Sequence, residues 1–259
     1  MTSLRRYVPG SCRPTRFRRA APATLALAAV ATSLLAGCSG SGSGTGAGTA
    51  ASGSSTLSPA ALLSHAKSVL DTASAVHFVV SSTDVPKGVT VLVGGEGDAA
   101  RPDKFAGDLD VSLSGTRAKV AVVSLGGTVY VKLPFAATYS VTDPKKFNIP
   151  DPGSFMSATS GLTQVLAQAT DAKDSGQTRL GDAVLRTVVA HVPGQVVDAV
   201  LRTADPSTPV TATFGIEPAS GQLRTATLVG PFFTKGVNST YTLVLSRYGE
   251  STDIRVPTG

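Results

Sequence analysis

Between residues 77 and 133 apolar side chains recur at every second position. Leu109, Val111 and Leu113 alternate with Asp108, Asp110 and Ser112; Ala118, Val120 and Val122 follow Arg117 and Lys119; Val129, Val131 and Leu133 flank Tyr130 and Lys132. A period of two predicts strands with one buried and one solvated face. Breaks at Ser114-Gly115-Thr116 and Gly126-Gly127 predict turns, so the stretch reads as an antiparallel meander opened by a strand at His77–Ser82. Val123 falls on the wrong side of this count. The alternation returns near the C-terminus in Val210, Ala212, Phe214 and Ile216, and again in Tyr241, Leu243 and Leu245. A strand pair is expected at 177–181 and 183–192.

Three segments carry the helical period instead. Ser58 is a natural N-cap with Pro59 at the first helical position, followed by a stripe of Leu62, Leu63, Ala66, Val69, Leu70 and Ala73. A second helix is predicted from Gly161 to Ala172, with Leu162, Val165, Leu166 and Ala169 on one side. A third is predicted near 194–203, with Val196, Val197, Val200 and Leu201. The proline-rich run from Asp143-Pro144 to Asp151-Pro152-Gly153 reads as loop. About ten antiparallel strands and three helices make an α+β fold. A sheet that large curls, and the helices then cover its concave face. The side chains on the strand faces are mainly Val, Leu and Ala, and the chain has no tryptophan. That leaves room for a cavity, though the same residues can also fill a packed core.

The N-terminus adds compartment to this picture. Arg5, Arg6, Arg13, Arg16, Arg18 and Arg19 precede an apolar run from about Ala20 to Ala36, which ends in Leu35-Ala36-Gly37-Cys38. A basic segment, a short apolar run and small residues before a cysteine form a bacterial lipoprotein signal. Residues 1–37 are therefore expected to be removed and Cys38 to carry a lipid. The Arg18-Arg19 pair leaves both the general secretory and the twin-arginine export routes open. Residues 38–56 comprise that cysteine and a Ser/Gly-rich tether, and 57–259 the folded domain. The whole chain has 23 Lys and Arg against 17 Asp and Glu. Without the six signal arginines the balance is near neutral, so no basic surface for nucleic acid is indicated. Cys12 leaves with the signal and Cys38 is consumed by lipid, so no thiol remains for a disulfide, a metal or a nucleophile.

Catalytic chemistry is hard to find. His65, His77 and His191 are isolated and lack spaced Cys, Asp or Glu partners, which makes a poor metal site. No G-x-S-x-G elbow is present. Asp108, Asp110, Asp143 and Asp151 fall at turns or on polar faces, where solvation accounts for them. No cofactor or metal is expected.

The order of several segments carries a resemblance. The Leu-Ala-Gly-Cys box and its tether are followed by Ser74-Ala75-Val76-His77 and by Gly107-Asp108-Leu109-Asp110-Val111-Ser112-Leu113. Then come Asp151-Pro152, Gly161-Leu162-Thr163-Gln164-Val165-Leu166-Ala167 and Asp171-Ala172-Lys173, and finally Leu243-Val244-Leu245-Ser246-Arg247-Tyr248-Gly249-Glu250. In this arrangement the chain resembles the LppX/LprA/LprF/LprG lipoproteins of mycobacterial cell envelopes, nearest the LprG branch, with Tyr248 standing where a Trp is expected. The resemblance implies a LolA-like half-barrel whose helices enclose a hydrophobic cavity for acylated lipids, glycolipids or triacylglycerol. It also implies carriage of such lipids through the cell envelope without catalysis, with a major-facilitator exporter as partner; the lipid on Cys38 would hold the protein, expected to be a monomer, on the outer face of the cell membrane. The expected lining is Leu109, Val111, Leu113, Val120, Val122, Val129 and Val131 from the sheet, and Leu162, Val165, Leu166, Val197, Val200 and Leu201 from the helices. The alternatives are a surface lipoprotein with a filled core that acts by contact, and an esterase of envelope lipids.

Overall fold

The computed structural model describes residues 57–89, 91–113, 115–147 and 150–258. The expected signal, Cys38 and the tether lie outside them. The first element is α1 (Pro59–Thr72). Its Ser58 side chain accepts from the Ala61 amide at 3.2 Å, satisfying one of the free donors at the helix start. At the other end Arg101 donates to the carbonyls of Ala73 and Leu70, both at 3.1 Å, placing a cation where the helix is electronegative. Ser58→Ala is expected to cost about 1 kcal/mol in urea unfolding.

The strands are β1 (Ala75–Thr83), β2 (Val91–Ala100), β3 (Lys104–Leu113), β4 (Thr116–Leu125), β5 (Thr128–Lys132) and β6 (Ser140–Thr142), then β7 (Thr170–Leu180), β8 (Ala183–Val192), β9 (Val210–Ile216), β10 (Leu223–Thr234) and β11 (Val237–Ser246). Two more helices, α2 (Leu162–Ala167) and α3 (Gly194–Leu201), lie between β6 and β9, with short 3₁₀ turns at Pro144–Phe147 and Pro152–Met156. All eleven strands form one antiparallel sheet in the order β6-β5-β4-β3-β2-β1-β11-β10-β9-β8-β7. It is an open, curved half-barrel. Two meanders meet where β1 pairs with β11, with Phe78 opposite Leu245 and Val80 opposite Leu243. Because successive strands reverse, the β1–β2, β3–β4, β5–β6 and β10–β11 connections gather at one end, called here the upper end.

The bend has a local cause in β2 and β3. Gly97 faces Gly107 across the pair, and β2 bulges between Leu92 and Gly94. A Cβ on Gly107 would lie 2.3 Å from the Glu96 carbonyl oxygen and 2.6 Å from the Gly97 Cα, so the strands approach more closely than any side chain allows. Aromatic rings cover the bare backbone: Phe78 stacks on Phe105 at 5.5 Å and on Phe155 at 4.8 Å between centroids.

The concave face carries the main core. Leu62, Leu63, Ala66 and Leu70 of α1 bury themselves in it with Val76, Phe105, Phe214, Ile216 and Leu245. The opposite face has a smaller cluster of Ala75, Ala100, Val123 and Ile254. Val123 interrupts the alternation because it belongs to that second cluster, covered by the C-terminal segment.

Three expectations need correction. The second helix stops at Ala167 rather than Ala172, and a strand begins at Thr170. Ala169 and Ala172 continue the helical spacing, but Asp171 takes a positive φ of 54° and Thr170 pairs with His191. The strand expected at 177–181 thus spans 170–180. It is an edge strand, exposed along nearly its whole length and bulged twice, so no buried face imposes a period-two pattern. The third helix ends at Leu201, where Arg202 turns left-handed at φ 58°.

Candidate functional site

The helices do not seal against the sheet everywhere. The row of concave side chains formed by Val76, Ala99 and Phe105 is fully packed. Above it, toward the upper end, a cavity of about 110 Å³ separates β1, β2, β3, β10 and β11 from α2, α3 and the 152–156 turn. Its walls are almost wholly apolar. Six of the expected residues line it: Leu109 from the sheet, and Leu162, Val165, Val197, Val200 and Leu201 from the helices. Val111, Val120, Val122, Val129 and Leu166 are buried in the surrounding core, and Val131 packs half-buried against it, without lining the cavity. The 152–156 turn packs on β2, β3 and β4, which explains why that side of the sheet is filled. Only the backbone of Leu113 lies within the description.

The remaining apolar walls come from residues not assigned to the site by sequence: Phe78 and Val80 of β1, Leu92 of β2, Phe155 of the turn, and Ala226, Leu228, Tyr241 and Leu243 of β10 and β11. Alternation marks Tyr241 and Leu243 as facing one side. Nothing local shows that their strand lies beside β1, because the pair is about 160 residues apart in sequence.

The cavity is not sealed: Leu92, Val200, Leu201 and Leu243 on its wall are only half-buried, so it opens to solvent between the sheet and the helices. An apolar wall of this kind favours apolar guests over water. Asp151 holds the 152–156 turn to the sheet: its carboxylate accepts from the Ser124 hydroxyl at 2.6 Å and from the Gly153 amide at 2.9 Å. Ser124 is completely buried. Solvation alone therefore does not account for this carboxylate; it clamps the 152–156 turn to β4.

Tyr241 closes part of the wall. Its hydroxyl donates to the Leu92 carbonyl at 2.8 Å, and burial pushes its pKa from 10.0 up to about 12. Burial shifts Tyr248 the same way, with its hydroxyl donating to Leu223 at 2.5 Å. Folding thus favours the protonated phenol. The benefit is complete below pH 10 and is lost as the pH rises toward 12, worth about 2–3 kcal/mol for Tyr241 alone. Stability measured by denaturant titration should fall between pH 10 and 12, and less steeply in Tyr241→Phe.

No histidine lines the cavity. His65 lies against Gly221 in the β9–β10 turn. His77, on the outer face, bonds Asp98 at 2.8 Å, and Arg247 shares that carboxylate at 3.1 Å. His77 thus has an acidic partner that its sequence neighbours do not reveal, supplied by the β1–β2 register. His191 is exposed, 3.9 Å from Asp171. Among the described residues no group of three or more His, Cys, Asp or Glu could hold a metal.

The comparisons with known proteins agree with this architecture. The model of the LppX_LprAFG lipoprotein family matches residues 58–254, the sheet and all three helices. The chain belongs to this family. Among solved structures it is similar to LprF from Mycobacterium bovis, with 16% identity and a TM-score of 0.66, covering 78% of this chain and 97% of that one. It is also similar to lipoprotein LppX from Mycobacterium tuberculosis, with 17% identity and a TM-score of 0.56, covering 76% and 98%. At these identities the likeness establishes the fold: a half-barrel with helices against it is the family's architecture. No curated protein matches the chain in sequence.

Proposed function

We propose that this LppX/LprF-family protein is a membrane-tethered carrier that holds acyl chains of lipids or glycolipids in its cavity and moves them through the cell envelope without catalysis. The observation that carries the reading is the apolar cavity left between the sheet and α2 and α3, walled by Phe78, Leu109, Leu162, Val165, Val197 and Tyr241. Each methylene transferred from water into such a site gains about 0.8 kcal/mol, so a chain of ten gains about 8 kcal/mol once the site has opened to take it. That is enough to draw an acyl chain from dispersed solution and hold it across an aqueous gap. At about 110 Å³ the cavity takes a segment of chain, so loading a complete lipid requires α2, α3 and the Asp151-clamped turn to move outward. An esterase would bring a base to the bound ester; the three histidines lie elsewhere, and the carboxylate on the wall, Asp151, is engaged by the Ser124 hydroxyl and the Gly153 amide. A protein acting only by contact would have no use for the void.

Anchoring belongs to the same proposal: export of the domain, lipid on Cys38, and action as a monomer, with an exporter of the major-facilitator class as a partner. The test is titration of the domain from Leu57 onward with a fluorescent long-chain acyl probe. Saturable binding at one site per monomer, with competition by diacylated lipids, is the expected result. Emission unchanged at saturating protein would contradict it. For the anchor, Cys38→Ala should release the protein from the membrane fraction.

A further inference from the structure

The β5–β6 connection is the most conspicuously apolar surface among the described residues. Leu133 is 53% exposed and Phe135 fully so, although such side chains are ordinarily buried. The tip is a formed turn, with the Ala136 amide donating to the Leu133 carbonyl at 3.0 Å. Phe135 is therefore presented by a built structure. From Lys132 to Thr142 the sequence is Lys-Leu-Pro-Phe-Ala-Ala-Thr-Tyr-Ser-Val-Thr, without an acid. Lys132 sits 5.9 Å over the ring of Tyr139 at the base. Apolar residues at a tip, with lysine and tyrosine behind them, are the arrangement that suits a bilayer interface, where the tip enters the acyl region and the amphipathic pair stays among headgroups.

Position supports the same occupant. The tip is at the upper end of the sheet, where the β10–β11 turn adds Val237, 49% exposed, and Lys235, and where the β1–β2 turn adds Lys87. Asp84 and Asp205 also lie at this end, so charge contributes only a fringe and the apolar tip leads. The cavity occupies the rows of the sheet nearer this end, above the filled layer of Val76, Ala99 and Phe105. The described chain begins at Leu57, whose carbonyl accepts from Arg186 of β8, opposite Ile216 and so toward the lower end. A strand of ten residues is about 33 Å long, and the segment between Cys38 and Leu57 reaches about 60 Å at full stretch. An anchor at Cys38 therefore allows the upper end to face the bilayer.

We infer that the Leu133–Phe135 tip docks this domain on a lipid bilayer, placing the cavity end against the membrane from which acyl chains enter. The inference rests on the carrier reading for its purpose, and on the tip's own geometry for its mechanism.

The chain has no tryptophan, so Phe135→Trp supplies a single reporter in the domain from Leu57 onward. LprF and LppX structures that these residues span almost entirely show this unit to be a self-sufficient fold. With vesicles of equal parts phosphatidylethanolamine and phosphatidylglycerol, the reporter should shift to shorter wavelength and be quenched by brominated acyl chains. Val184→Trp, at the lower end, should do neither. Leu133→Ser/Phe135→Ser should bind the vesicles at least about tenfold more weakly, the loss expected for one buried apolar side chain, and should bind the soluble acyl probe unchanged. A reporter at 135 that stays water-like on vesicles would overturn the inference, as would a shift that depends on protein concentration alone, which would make the tip a contact between copies. A silent tip with intact probe binding removes the docking and leaves the carrier. Insertion without probe binding removes the carrier and leaves the docking.

Discussion

Leu109→Trp is expected to leave the domain folded and to weaken acyl-probe binding at least about tenfold. Leu109 is part of the sheet-side wall of the cavity, and an indole there occupies space otherwise open to the ligand. Excluding two methylenes removes about 1.6 kcal/mol, which alone exceeds tenfold. Val111→Trp should behave in the opposite way, although it lies two residues along the same face. Val111 is buried without bordering the void, so the larger ring has nowhere to go and should cost about 1–3 kcal/mol of stability. The pair separates a cavity from a merely apolar face. Binding by probe titration and stability by urea unfolding should move independently in the two variants.

Gly107→Val is expected to cost about 3 kcal/mol or more in urea unfolding. The cause is not conformational freedom. Even the first carbon of a side chain would lie 2.3 Å from the Glu96 oxygen, so β2 and β3 would have to separate where the half-barrel bends. Gly126→Ala in the β4–β5 turn is the contrast. No atom lies within 4 Å of its added methyl, and the cost is that of a φ of +58°, about 1 kcal/mol. A large difference between the two would assign the bend to close backbone approach.

Much of the architecture is legible from residue periodicity. The strands whose buried face alternates cleanly, such as β3 and β9, stand where the pattern puts them, and α1 follows from Ser58, Pro59 and its stripe. What fails fails for physical reasons. The edge strand β7 buries almost nothing, so burial writes no pattern into it. The short α2 is prolonged on paper by two alanines that pack against the core without being helical. The cavity was harder to read, because a lining residue and a core residue obey the same period. Leu109 and Val111 differ only in what covers them, and that depends on the 152–156 turn, which reads as loop. Six of the eight sheet residues on the wall come from β1, β10 and β11, whose adjacency is set by closing the two meanders against each other. No local spacing records that pairing.

The central claim is that the void exists for an acyl chain. It is tested most directly by expressing the domain from Leu57 onward in an actinobacterial host and recording its native mass. The account predicts a retained mass that dissociates into acyl-bearing fragments and is diminished in Leu109→Trp. A bare polypeptide mass, unchanged after incubation with envelope lipids, would contradict it.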